Sequence, residues 1–135
     1  MNPSFGTPNS RENDSRPVIF LVDDETMLLE LNAVILEPLG YQVQVFCDPV
    51  EAERAYLISE PRPALLVTDY AMPGMNGMDL ILVCRRANPG QKIILLSGTV
   101  DQTIFRDAPE KPDRFLAKPY QYQQFVEAIR ELVEA

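Results

Sequence analysis

The sequence contains no histidine and no tryptophan, only two cysteines, and twelve basic residues against twenty acidic ones in a chain of 135. Each shortage excludes something. Without histidine the chain cannot carry a Ser-His-Asp triad, an HExxH zinc site or a phosphohistidine relay of its own. Cys47 and Cys84 are far apart, fit no CxxC pattern and sit among apolar neighbours. They are expected to be buried free thiols in a reducing cytoplasm rather than a disulfide or metal pair. The formal charge of −8 argues against a surface that tracks phosphate backbones, so no direct nucleic-acid contact is expected. No apolar run approaches the roughly 20 residues of a membrane span. The start, MNPSFGTPNSRENDSRP, has no apolar centre behind a basic end, so neither a secretory signal nor a membrane partner is expected.

What is present suits one small folded domain. At 46% hydrophobic residues, a chain of this length can bury a real core without staples. Residues 1–16 are poor in large apolar side chains and rich in Asn, Ser, Pro and Gly. They read as a disordered tail, with the domain running from Pro17 to Ala135. From Val18 the pattern alternates. Val18–Val22 is an apolar run of β-formers, followed by Thr26–Leu36 with Leu28, Leu31 and Ile35 at helical spacing. Pro38 and Gly40 stop that helix. Tyr41–Phe46 alternates like a strand with one wetter face, which suggests a sheet edge, and Asp48-Pro49 opens a second helix running to about Ser59. Ala64–Thr68 is a third strand and Met78–Ala87 a third helix, joined by a Pro/Gly loop. Lys92–Leu96 is a fourth strand. Asp101 can cap only a short helix, because Pro109 and Pro112 end it. Arg114–Ala117 is a fifth strand, and Gln121–Val133 a last helix with Tyr122, Phe125, Ile129 and Leu132 on one face. Five strand–helix repeats with apolar strands predict an α/β fold, a doubly wound parallel sheet with the second strand at one edge.

In such a sheet, ligands bind beyond the carboxyl ends of the strands. Strand one delivers Asp23 and Asp24 there, strand three Asp69, strand four Ser97 and strand five Lys118. Any one of the acids or the serine alone reads as a helix cap. Three carboxylates at one sheet edge repel one another, however, and such a cluster usually persists because a cation neutralises it. Hard oxygen ligands without histidine or thiolate point to Mg²⁺, or Mn²⁺. No GxxxxGK[ST] or GxGxxG loop exists to cradle a nucleotide. A carboxylate beside a divalent metal, a lysine and a hydroxyl suits phosphoryl transfer to Asp.

Val22-Asp23-Asp24-Glu25, Thr68-Asp69-Tyr70-Ala71-Met72-Pro73-Gly74-Met75-Asn76-Gly77, Leu95-Leu96-Ser97-Gly98 and Phe115-Leu116-Ala117-Lys118-Pro119 stand in order along the chain. Together they resemble the response regulator receiver domain over Pro17 to Glu134. The resemblance implies a flavodoxin-like (βα)5 fold with strand order 2-1-3-4-5, working in two-component signalling in the cytoplasm. It implies that Asp69 accepts a phosphoryl group from the phosphohistidine of a sensor histidine kinase or phosphotransfer protein. Asp24 and Asp69 would bind Mg²⁺ directly, Asp23 through water, with the Ala71 carbonyl as a further ligand. Lys118 would pair with Asp69 and then with the phosphoryl group, while Ser97 moves to bond a phosphoryl oxygen and Phe115 turns inward as a switch. The Lys118–Pro119 peptide would be cis. Such a protein is no general enzyme, but assists its own phosphorylation and dephosphorylation and signals by altered binding to another protein, sometimes as a phosphorylation-linked homodimer.

Two departures from the family stand out. Pro109 and Pro112 make the segment Asp101–Asp113 irregular, where the family often signals. Ala71 and Thr99 occupy positions that control water access to the acyl phosphate, and neither can position an attacking water, so slow self-dephosphorylation is expected. Pro73, Gly74 and Gly77 read as turn residues. Tyr120, Tyr122 and Phe125 read as packing residues. Other readings are a constitutive interaction module of the same fold, and a metal-dependent phosphohydrolase; the latter usually has an acid/base Asp where Ala71 stands. The chain is expected to be either a stand-alone receiver or one domain of a longer protein.

Overall fold

Short runs rich in Val, Ile and Leu can bury both faces only inside a sheet covered on two sides. A computed structural model describes residues 15–134 and places the runs in that way. The tail expected over 1–16 lies outside the described residues except for its last two. Five strands, β1 (Val18–Val22), β2 (Gln42–Phe46), β3 (Leu65–Asp69), β4 (Ile93–Ser97) and β5 (Arg114–Ala117), form one sheet in the order β2-β1-β3-β4-β5. Every pairing is parallel, with Val22 opposite Thr68, Asp69 opposite Leu96 and Ser97 opposite Ala117. The helices are α1 (Thr26–Leu36), α2 (Pro49–Ile58), α3 (Gly77–Ala87) and α4 (Tyr122–Val133). This is the doubly wound α/β fold expected.

Alternate residues of each strand enter two separate cores. Ile19, Leu21, Val67, Ile94 and Leu96 pack against α1 and α4, while Phe20, Val22, Leu66, Ile93 and Leu95 pack against α2 and α3. β3 and β4 are buried throughout, whereas β2 contains no buried residue, as its wetter sequence foretold for an edge. Asp48 caps α2 by accepting from the Val50 amide at 2.9 Å. The segment after β4 forms only a single 3-10 turn, Gln102–Phe105, before running irregularly to β5. Asp101 caps that turn through the Thr103 amide.

Three expectations are corrected. Cys84 is buried but Cys47 is exposed, because it follows the edge strand, which has a neighbouring strand on one side only; both thiols are free. Helix α1 buries Leu29, Asn32 and Leu36 and packs Ile35 against the same core, so of the three residues read at helical spacing Leu31 is left exposed and Leu28 partly so. Its sequence, TMLLELNAVIL, is apolar nearly all round, and the buried amide of Asn32, which donates to the Tyr120 hydroxyl at 3.0 Å, picks the phase. Met27, Leu31 and Val34 are left at 83%, 54% and 67% exposure. Tyr122, expected on the packed face of the last helix, is half exposed in its first turn, leaving Phe125, Ile129 and Leu132 to form the buried stripe with Val126 and Ala128.

Among the described residues no helix is long and apolar enough to cross a membrane.

Candidate functional site

Because the parallel strands end in register, their carboxyl ends present successive residues on one rim, at the crevice between β1 and β3 where the strand order reverses. Asp23 and Asp24 follow β1, Asp69 closes β3, Ser97 closes β4, and Lys118 lies one residue past β5. The structure brings all five to this rim.

Asp23, Asp24 and Asp69 each present a carboxylate oxygen within 4.8 Å of the others. Asp23 and Asp69 are buried and Asp24 is exposed. Burial, then repulsion from Asp23, pushes the Asp69 carboxyl up to about 6. Burial also raises Asp23, against the bonds it accepts from Lys118 and from the Glu25 amide. A site that resists its own ionisation in this way, built only from hard oxygen donors, suits a small divalent cation such as Mg²⁺.

The Lys118 ammonium lies 2.8 Å from Asp23 Oδ2, 3.0 Å from Glu25 Oε1 and 3.2 Å from Asp69 Oδ1. Burial opposes its charge, but the Asp23 and Glu25 bonds outweigh that and hold its pKa above the ordinary lysine value. The Lys118–Pro119 peptide is cis, as expected, and so is Glu60–Pro61, which no motif had signalled.

Ser97 is buried at the end of β4, and its Oγ accepts from the Thr99 and Val100 amides, each at 3.1 Å. The hydroxyl is therefore engaged by its own loop. Thr99, following β4, and Ala71, following β3, are exposed. Phe115 is half-buried in β5, with its ring 5.9 Å from that of Phe105 in the 3-10 turn.

Two residues matter more than the sequence reading allowed. Gly77 is more than a turn residue. A Cβ there would lie 2.4 Å from the Asp69 carbonyl oxygen, so only glycine lets the start of α3 pass this close to the end of β3. Its amide donates to the Tyr70 carbonyl at 2.8 Å. The turn before it contains Gly74, whose φ of +86° is the left-handed conformation that favours glycine. Asn76 and Asp79 complete a capping box over the start of α3. Glu25 is the other residue. It was read only as part of an acidic run, yet it is the third carboxylate on Lys118. The available signals were Asn76-x-x-Asp79 around Gly77, and for Glu25 its place in the run Asp23-Asp24-Glu25.

Beside the site runs an apolar groove between α1 and α4, lined by Leu28, Leu31, Ile35, Pro119, Tyr122 and Phe125, with Glu25 and Lys118 at its end.

An α/β sheet of this order, with an acidic cluster, a lysine and a hydroxyl at its switch point, defines a class of phosphoacceptor switch domains. The chain belongs to the response regulator receiver domain family, whose profile matches residues 19–130. It is 32% identical over 118 residues to the DNA-binding response regulator MtrA of Mycobacterium tuberculosis strain H37Rv, a match covering 85% of this chain and 50% of that protein. It is 29% identical over 117 residues to the transcriptional regulatory protein YesN of Bacillus subtilis, covering 85% of this chain and 32% of that one. The chain thus spans about half the length, or less, of these relatives. Among solved structures, a CheY-like receiver domain protein from Methanospirillum hungatei superposes with a TM-score of 0.82 at 26% identity, covering 89% of this chain and 95% of that one. The Thermotoga maritima response regulator protein TrrA, in complex with Mg(2+)-BeF, shares the fold with a TM-score of 0.74 at 24% identity over 86% of this chain and 98% of its own. Receiver domains act in phosphorylation-based signalling, take phosphate from histidine kinases and bind Mg²⁺ at an aspartate cluster.

Proposed function

We propose that this chain is a cytoplasmic receiver, folded over 17–135, in which Asp69 accepts a phosphoryl group from the phosphohistidine of a sensor kinase or phosphotransfer protein. The observation that carries this reading is the meeting of Asp23, Asp24 and Asp69 with the Lys118 ammonium 3.2 Å from Asp69 Oδ1. An Asp69 carboxylate oxygen attacks phosphorus, an O–P bond forms, the N–P bond breaks, and the leaving imidazole nitrogen keeps the electron pair and is protonated from solvent.

Asp24 and Asp69, with Asp23 and the Ala71 carbonyl, would hold Mg²⁺, which when bound supplies charge neutralisation to the phosphoryl oxygens. Lys118 answers the remaining negative charge as a compact cation. The Ser97 hydroxyl leaves its two loop amides and donates to a phosphoryl oxygen, and Phe115 follows by leaving its contact with Phe105. Since neither Ala71 nor Thr99 offers a carboxylate or amide to orient water, the acyl phosphate persists well beyond seconds in Mg²⁺. The groove between α1 and α4 is apolar and ends at Lys118, which suits the seating of the donor protein. Output passes through a second protein or through a phosphorylation-linked homodimer.

Incubation with Mg²⁺ and a small phosphodonor, read by intact mass, tests the reading. Wild type should gain one phosphoryl group and Asp69→Asn none. Equal labelling of the two would refute Asp69 as the acceptor.

A further inference from the structure

Glu25 occupies the N-cap position of α1, where a side chain ordinarily accepts from the first amides of its own helix. It does not: its backbone is extended, with φ −88° and ψ 97°, and its side chain makes no cap hydrogen bond. Instead the carboxylate reaches over the rim and accepts from the Lys118 ammonium at 3.0 Å while remaining 64% exposed. Lys118 has three N–H groups and three carboxylates within reach, Asp23 and Asp69 inside the site and Glu25 outside it. Esterification removes the charge of the Asp69 carboxylate, so its contact with Lys118 passes to the phosphoryl group, and Asp23 and Glu25 then compete with the further phosphoryl oxygens for the remaining N–H groups.

Relative magnitudes decide which of the two gives way. Asp23 is 5% exposed at its side chain. Stranding a buried charge without its partner shifts an equilibrium by a factor of hundreds or more, whereas losing an exposed pair shifts it by roughly 1.5- to 5-fold. The Glu25 carboxylate rehydrates at once. It is the partner that yields.

We propose that Glu25 is a positioning residue for Lys118, tethering the ammonium at the rim of the unphosphorylated site and releasing it when a phosphoryl oxygen on Asp69 accepts the hydrogen bond that Glu25 had accepted. The proposal rests on the reading of Asp69 as phosphoacceptor. It gives Glu25 two separable effects. As a competitor for Lys118 it slows phosphoryl uptake; as a third carboxylate sharing Lys118 with Asp23 and Asp69, it lessens the hold of the ammonium on them and eases entry of a cation. Because Glu25 also borders the groove between α1 and α4, its release places a free carboxylate at the edge of that groove only in the phosphorylated protein.

The test uses the full chain, acetyl phosphate as donor and Mg²⁺ titrated by calorimetry, comparing wild type, Glu25→Gln and Glu30→Gln. Glu30 is exposed on the same helix and serves as a control for loss of one charge. Glu25→Gln should take up phosphoryl roughly threefold faster at saturating Mg²⁺, yet bind Mg²⁺ roughly threefold more weakly, while Glu30→Gln shifts neither by more than about 1.5-fold. A lesion that merely loosened α1 would impair both, so movement in opposite directions is the signature. Uptake by Glu25→Gln that is unchanged, slower or matched by Glu30→Gln overturns the tether. Failure of wild type itself to gain a phosphoryl group overturns the phosphoacceptor reading and the proposal with it.

Discussion

Two connections leave the functional rim of the sheet, and they are built in contrasting ways. The one after β3 follows Asp69 with a turn through Gly74, a capping box and the eleven-residue helix α3, drawn so close that Gly77 has no room for a side chain. The one after β4 follows Ser97 with a loop, a four-residue 3-10 turn and an irregular run to β5. That run is held from outside. Arg85, in the last turn of α3, donates to Glu110 at 3.1 Å, to Asp113 at 2.9 Å and to the Gln91 carbonyl at 2.7 Å, and the same Asp113 oxygen accepts from the Ile93 amide. Asp69 is therefore followed by a tightly drawn, regular connection, and Ser97 by an irregular one. For the switch proposed above this division is apt: the proposed acceptor is backed by a closely packed helix, while the proposed reporting hydroxyl stands next to a segment with little regular structure.

Filling the tight passage at Gly77 should break the regular side most severely. Gly77→Val forces β-carbons against the Asp69 backbone, and we expect at least about 3 kcal/mol lost from stability, with loss of Mg²⁺ binding, by thermal melting and titration. A variant as stable as wild type would show that the start of α3 can retreat from β3 at little cost.

Releasing the staple on the irregular side should cost less. Arg85 is nearly buried and its partners are partly so, which places Arg85→Met at about 1–3 kcal/mol. Hydrogen exchange should rise across residues 106–113 and remain low in β3. Uniform acceleration across the sheet would deny the division described above.

The smallest effect is electrostatic and belongs to the regular side. In metal-free protein the Asp69 carboxyl sits at about 6, above its value of roughly 4 in an unfolded chain. The folded state thus binds this proton more tightly, so the contribution to stability is complete below pH 4 and is lost as pH rises through 6. Asp69→Asn removes the penalty and should be about 1–2 kcal/mol more stable than wild type at pH 7, with no difference near pH 4. Saturating Mg²⁺ should close the gap at pH 7. A gap that persisted from pH 4 to 7 would have some other cause than the crowding of Asp69 by burial and by Asp23.

Much of this was legible in the residues themselves. Apolar strands alternating with helices announce the doubly wound sheet, and the rule that ligands sit at carboxyl strand ends brings Asp23, Asp24, Asp69, Ser97 and Lys118 together from the sequence alone. Pro109 and Pro112 announced the irregular connection. What was not legible required knowing which atoms meet across long spans. Glu25 finds Lys118 93 residues away, and Arg85 finds Glu110 and Asp113 at separations of 25 and 28. Gly77 looked like any turn glycine because the carbonyl it must clear lies on a different element. Cys47 had apolar neighbours in sequence but follows an edge strand that is paired on one side only.

Helix α1 leaves one consequence for how the chain finds its fold. An amphipathic helix is held at one rotation because turning it would expose its apolar face, but α1 has apolar side chains on both sides. A roll toward Leu28 and Leu31 would replace the buried Leu29 and Leu36 with side chains of the same kind. It would also strip Asn32 from the Tyr120 hydroxyl, a part-buried bond whose loss costs about 1 kcal/mol or more. Asn32 therefore adds a directional preference that apolar contact alone, similar on the two sides of the helix, supplies less sharply. In this domain a single polar residue inside an apolar core supplies uniqueness rather than strength.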